Sequence, residues 1–242
     1  MQDSASVQRL EFHRHFALAW LLLACLTLPG DGAGQGGAAP APSATLTVAK
    51  DTTWTHQDLS VAQDLEVLPP ATLRLEGTHL RLGGRLEVRA GARLELAPRD
   101  GQATDIGPLD DAPATDTHGP WLWVNGTLAA AGLPRTNIHG LRGTGLNNLY
   151  FPGGGLLLAG HADLADVDLH DGNATLVVAP SGSARIRDSS LERMGYMGLG
   201  VLGQAALDNV TFRGSGSGLV GFQTCAIEAR RIRIDAAREA VL

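Results

Sequence analysis

Asp166, Asp168, His170, Asp188 and Glu192 are the side chains in this 242-residue sequence whose types and spacing could together do acid–base chemistry. Neighbouring carboxylates raise one another's pKa and can act as acid and base on a glycosidic bond, or can jointly hold a hard cation such as calcium. A plainer reading is a solvated ladder of outward side chains in which Glu192 lies between His170 and Arg213 and pairs with them. That ladder is the first expectation; the five residues stand as catalytic candidates behind it, with no metal site or cofactor assigned beyond the calcium such acids could take.

A second group of side chains could contact a ligand without reacting with it. Trp121 and Trp123 alternate with Leu122 and Val124, so two indoles are expected to point outward together. They could stack on sugar rings, but an insertion folded back across them is the favoured reading. Tyr150 and Phe151 sit in a glycine-rich stretch and join them as ligand-binding candidates. Asn125, Asn173 and Asn209 each begin an Asn-X-Thr triplet, a glycosylation acceptor if the source has that machinery. Asn125 and Asn173 read as turn residues and Asn209 as a strand residue.

What must position these residues is a repeat. Leu59 and Val61 match Leu80 and Leu82; Leu65 and Val67 match Leu86 and Val88; Leu73 and Leu75 match Leu94 and Leu96, each at an interval of 21 residues. Two further intervals carry these three pairs to Leu122/Val124, Leu128/Ala130 and Thr136/Ile138. The pattern resumes as Val167/Leu169, Ser189/Leu191, Val210/Phe212 and Ile232/Ile234 at about 21 or 22 residues. Alternation over two or three residues is the period of a strand, and three such steps per repeat make three strands per coil with one face inward. The predicted fold is all-β: a right-handed parallel β-helix solenoid over residues 45–242, interrupted by insertions at Ala97–Gly119 and about His139–Gly155. The first insertion is acidic, with Asp100, Asp105, Asp110, Asp111 and Asp116, but lacks a calcium-loop spacing and reads as a solvated loop. Aligning the C-terminal coils gives three outward columns: Asp166, Asp188, Asn209, Arg231; then Asp168, Ser190, Thr211, Arg233; then His170, Glu192, Arg213, Asp235. The last coil carries no evident polar cap, unless residues 235–242 close it as a short helix.

Charge and the N-terminus bound the setting. The net charge of −6 provides no positive field for a phosphate backbone, so nucleic acid is not an expected partner. Arg9, His13, Arg14 and His15 precede an apolar run from Phe16 to Leu28, which reads as an export signal or signal anchor over residues 1–29. Residues 30–44 follow as a Gly/Ala/Pro-rich linker. Cleavage within Gly30–Gly34 is expected; a lipoprotein-like Leu22-Leu23-Ala24-Cys25 makes Cys25 a lipidation candidate. Membrane contact is expected only through this segment, and the oligomeric state is open. Loss of Cys25 with the signal would leave Cys225 alone, a small buried residue and not a nucleophile, with no disulfide available.

The coil length, the strand triplets and the stretch Val124-Asn125-Gly126-Thr127-Leu128-Ala129-Ala130-Ala131-Gly132 resemble the pectin-lyase-like right-handed β-helix superfamily over about residues 45–242. The resemblance implies a secreted or surface protein and specifies fold far better than chemistry. The Asn-Thr-Asp, Asp-Asp, Gly-His-Gly and Arg-Ile-Lys groups of the superfamily's polygalacturonases are absent; Gly160-His161-Ala162 and Ala184-Arg185-Ile186-Arg187 are faint echoes. A lyase base would have to come from Arg213, Arg231 or Arg233, and no spacing singles one out. The expectation is therefore an exported, non-catalytic glycan-binding or structural module with a polysaccharide or cell-surface partner. A polysaccharide lyase or glycoside hydrolase is the alternative, and a stalk or adhesin fragment without a ligand pocket is a third reading.

Overall fold

The computed structural model describes residues 45–109, 121–141, 147–148, 151–152, 155–172, 176–195, 197–222 and 224–235. The export segment, the linker, Cys25, Tyr150 and Asn173 lie outside them. The described residues form an all-β solenoid of about seven turns, matching a right-handed parallel β-helix.

Short alternating strands cannot bury an apolar face alone, and here each does so by stacking on the same strand of the next coil. The first face is an eight-stranded parallel sheet running from Leu46–Val48 through Leu65–Val67, Arg85–Val88, Trp121–Val124, Leu156–Leu158, Leu176–Val178 and Met197–Val201 to Ser217–Gly221. The second face begins at Thr52–Thr55 and the third at Asp58–Val61. In the last three coils these two faces are halves of single ten-residue strands, Ser183–Glu192, Gln204–Arg213 and Ala226–Asp235. Those strands join both faces into one sheet of thirteen strands.

Inward side chains form columns along the axis. Leu65, Leu86, Leu122, Leu156, Leu176 and Leu199 stack on the first face, each at most 2% exposed. Each such leucine contributes about 1.5–3 kcal/mol by leaving water, which makes these columns the main source of stability.

Where the second face bends into the third, in six coils one residue takes a left-handed conformation: His56, Gly77, Asp166, Asp188, Asn209 and Arg231, with φ between 49° and 56°. Gly, Asp and Asn enter that region at little cost, whereas a long side chain such as Arg231 is held there at about 1–2 kcal/mol. Inside the same corner runs a column with buried hydroxyls at Thr78, Thr104 and Thr136, then Val167, then the buried Ser189. Thr78 Oγ1 donates to Trp54 O at 2.9 Å, and Ser189 Oγ donates to Arg187 O at 2.6 Å while accepting from Val167 N at 3.1 Å. The hydroxyls thus occupy backbone groups that the bend removes from the ladder. Among the described residues Thr136 Oγ1, alone of the four hydroxyls, finds no partner.

Two expectations are corrected. Leu122–Val124 stacks on Leu86–Val88, and Leu128–Ala130 on Leu94–Leu96; Ile138 lies over Ile106, which lies over Leu80. The block 122–138 is therefore one face further round than a strict 21-residue count implies. The count failed because Ala97–Gly119 is not wholly an insertion. After a tight turn at Arg99–Gln102, Asp105–Pro108 returns to the third face as a regular strand. In the second interruption, Asn147–Asn148 pairs antiparallel with Phe151–Pro152. Cys225 is half-buried at the edge of the core, not fully buried, because the coil that carries it has a stacked neighbour on only one side among the described residues.

Candidate functional site

The outward positions of the third face build the site. Register places Asp105, Asn137, Asp168, Ser190 and Thr211 in one column, with His139, His170, Glu192 and Arg213 two residues along. Successive rungs of a parallel sheet lie about 4.8 Å apart, so each polar group is within reach of the next. In the later coils the columns border a groove of about 460 Å3, lined by Arg135, Asp168, His170, Glu192, Arg193 and Arg213 among others.

Both carboxylates that line this groove carry an arginine contact. Asp168 Oδ1 accepts from Arg135 Nη1 at 2.7 Å and from Ser190 Oγ at 2.8 Å. Glu192 Oε1 accepts from Arg213 Nη1 at 3.0 Å, and its Oε2 lies 3.4 Å from Arg193 Nη1. Beside them Arg193 grips Asp171 with two parallel bonds, Nε to Oδ1 at 2.6 Å and Nη2 to Oδ2 at 2.7 Å. His170 Nδ1 is 2.6 Å from the same Oδ2. The Arg193 guanidinium, helped by His170, holds the Asp171 carboxyl well below the usual carboxylate range against the opposing pull of burial.

The five candidate acid–base residues divide in two. Asp168, His170 and Glu192 face the groove. Asp166 and Asp188 sit at the left-handed corner, so the first of the three expected columns is an edge and not part of the same flat face. Asp188 Oδ1 accepts from Asn209 Nδ2 at 2.7 Å; Asn209 lies within the strand Gln204–Arg213 as expected, at the left-handed point where that strand bends. Glu192 pairs with Arg213 as expected, but its second contact is Arg193; His170 turns to Asp171 instead. Among the described residues no three His, Cys, Asp or Glu side chains converge on a point that would hold an ion.

Sequence reasoning missed the groove's extension toward the N-terminus. Asp105 is buried beneath Arg81, whose Nη1 is 2.8 Å from Oδ2, and beside His139, whose Nε2 is 3.4 Å from Oδ1. Burial alone would raise the Asp105 carboxyl, but the His139 contact and the charges of His139, Arg81 and His79 outweigh it and leave it lowered. His139 then stacks on His170 at 5.2 Å between ring centroids, linking this cluster to the groove. The signal was present in the Asp105-Ile106-Gly107-Pro108 alternation, but the register slip assigned it to a loop.

Trp121 and Trp123 lie on the first face, away from the groove. Their rings stack on each other at 5.7 Å and 15°, and the Arg85 guanidinium sits over both, 5.8 and 5.9 Å from the centroids. Below them Glu87 is 1% exposed and bridges Arg85 and Arg89 at 3.3 and 2.8 Å. The indoles are thus half-buried members of a packed cationic cluster. The side chain of Phe151 lies outside the described residues, and Asn125 occupies the turn after Val124 as expected.

Comparison with family models, curated proteins and solved structures finds no match to this chain.

Proposed function

We propose that this chain is an exported, pectin-lyase-like β-helix of the cell surface that binds a polysaccharide along its third face without cleaving it. One observation carries the reading: the groove is lined almost wholly by hydrogen-bonding side chains, yet its carboxylates are already held by arginine. An acid catalyst must offer a free carboxyl to the leaving oxygen, and a general base must be unoccupied toward its proton. Glu192 has both oxygens in arginine contacts, and Asp168 has Oδ1 taken by Arg135 and Ser190, which leaves only Oδ2 toward a substrate. The same guanidinium, hydroxyl and amide groups, fixed at rung spacing on a rigid sheet, suit the repeated hydroxyls and acidic substituents of an extended sugar chain. The apolar run Phe16–Leu28 behind a basic start supports export.

The test is incubation with a panel of neutral and acidic polysaccharides, with and without calcium, recording retention and newly released chain ends. Retention without release is expected, weakened about tenfold or more in Arg213→Ala and Arg135→Ala. Chain ends released by the wild type and lost in Glu192→Gln would replace this reading with a hydrolase or lyase. Absence of retention across the panel would overturn polysaccharide binding.

A further inference from the structure

The two ends of the solenoid are matched surfaces. At the C-terminal end the strand Ala226–Asp235 pairs, among the described residues, only with Gln204–Arg213. Among the described residues its inward positions are uncovered: Ala229 is exposed although Leu207, directly beneath it, is buried, and Ile227, Ile232 and Ile234 are only partly buried. The N-terminal end is open in the same way at Leu46, which is 38% exposed, and at the half-buried Trp54 and Leu59.

These edges agree residue by residue. Following the inward columns through the coils sets Ile227 in the column of Thr52, Ala229 in that of Trp54 and Ile234 in that of Leu59. In both strands the left-handed corner falls at the same place, at His56 (φ 49°) in the first coil and at Arg231 (φ 52°) in the last. One spacing therefore serves both halves of the bend. A first coil laid on a last coil would continue the parallel ladder across the corner without a slip. The side chains agree as well: the large Trp54 ring meets the small Ala229, and the exposed Asp58 comes opposite Arg233, whose side chain is 71% exposed and holds Asp235 through Nε at 2.7 Å, leaving its other guanidinium nitrogens for a second carboxylate.

We propose that the occupant of the C-terminal edge is the N-terminal coil of a second copy of this chain, stacked head to tail in register. Such a contact is heterologous: each copy uses a different surface, both remain open on the pair, and growth continues along the axis. The paired acid and base at Asp58 and Arg233 set the register, because a shift of one residue would move both off their columns.

The measurement is the weight-average mass of the full chain by sedimentation velocity over a hundredfold concentration range. The wild type should grow with concentration beyond a dimer. Arg233→Asp, which places two carboxylates in the contact, should lower the association constant about tenfold or more. Asp58→Arg should do the same alone, and combining the two should restore assembly. Both sites are exposed, and unchanged circular dichroism melts would separate lost assembly from lost folding. A chain that stays monomeric throughout, or assembly indifferent to Arg233→Asp, or a double variant no better than the singles, would overturn the head-to-tail contact.

Discussion

Asp171 and Arg193 are both corner residues with left-handed backbones, φ 56° and 51°, and their double hydrogen bond crosses one rung. Because the Asp171 carboxyl is lowered in the folded chain, its contribution is fully present above the unfolded carboxylate pKa of about 3.9 and disappears as pH falls toward the folded value. Its side chain is nearly half exposed, so solvent screening keeps that contribution to about 1 kcal/mol or less. Asp171→Asn retains a residue suited to the left-handed corner and removes only the charge. The expected outcome is a small loss of stability at pH 7 that shrinks step by step when urea unfolding is repeated at about pH 4, 3 and 2. At Asp188 the corner itself is the constraint. A β-branched valine there should cost about 1–2 kcal/mol, while Asp188→Gly should cost little, and thermal melts of the pair would show the difference.

A strand in this solenoid is stabilised by what its inward residues touch above and below, and the hydroxyl column at the second corner tests that. Among the described residues Thr136 Oγ1 is buried between coils without a partner, whereas the hydroxyls of Thr78, Thr104 and Ser189 in the same column bond to the backbone. Thr136→Val keeps the shape and removes an unsatisfied group, so it should be neutral or stabilising by up to about 1 kcal/mol; Thr78→Val should instead destabilise by about 1 kcal/mol or more. Urea midpoints of the two variants give the comparison. The same element shows how far the sequence could be read. Three strands per coil were legible because Leu65/Val67, Leu73/Leu75 and Leu80/Leu82 alternate at period two and repeat at fixed intervals. The long coil through Arg99–Gln102 was not, because an extra turn shifts the phase without altering the alternation on either side. That slip hid Asp105, Arg81 and His139 from the candidate site. The bend at Asp166 and Asp188 was equally hidden, since a single left-handed residue leaves the apolar pattern of a continuous strand intact. Pairings such as Arg135 with Asp168 join residues 33 apart, across an irregular coil that no fixed period predicts.

At the scale of the whole solenoid, stability is nearest-neighbour: a coil inside the stack gains from two interfaces and a terminal coil from one. Leu122 is fully buried between Leu86 and Leu156, so Leu122→Ala should cost about 2–5 kcal/mol and lower the cooperative unfolding of the solenoid. Ile232 is only partly buried in the last coil, and Ile232→Ala should cost about 1 kcal/mol or less in the isolated molecule. Amide hydrogen exchange resolves the gradient directly, with Ala226–Asp235 opening first and the inner coils, from Leu86 to Leu207, exchanging only with global unfolding. The gradient also ties both proposals to one observable. A polysaccharide bound across Asp168, Ser190 and Thr211 bridges inner coils, so it should slow exchange there and leave the first half of the last strand, Ala226 to Arg230, fast. A second copy stacked on the last coil should slow Ala226–Asp235 in proportion to protein concentration, and Arg233→Asp should return those amides to the rate of the dilute chain.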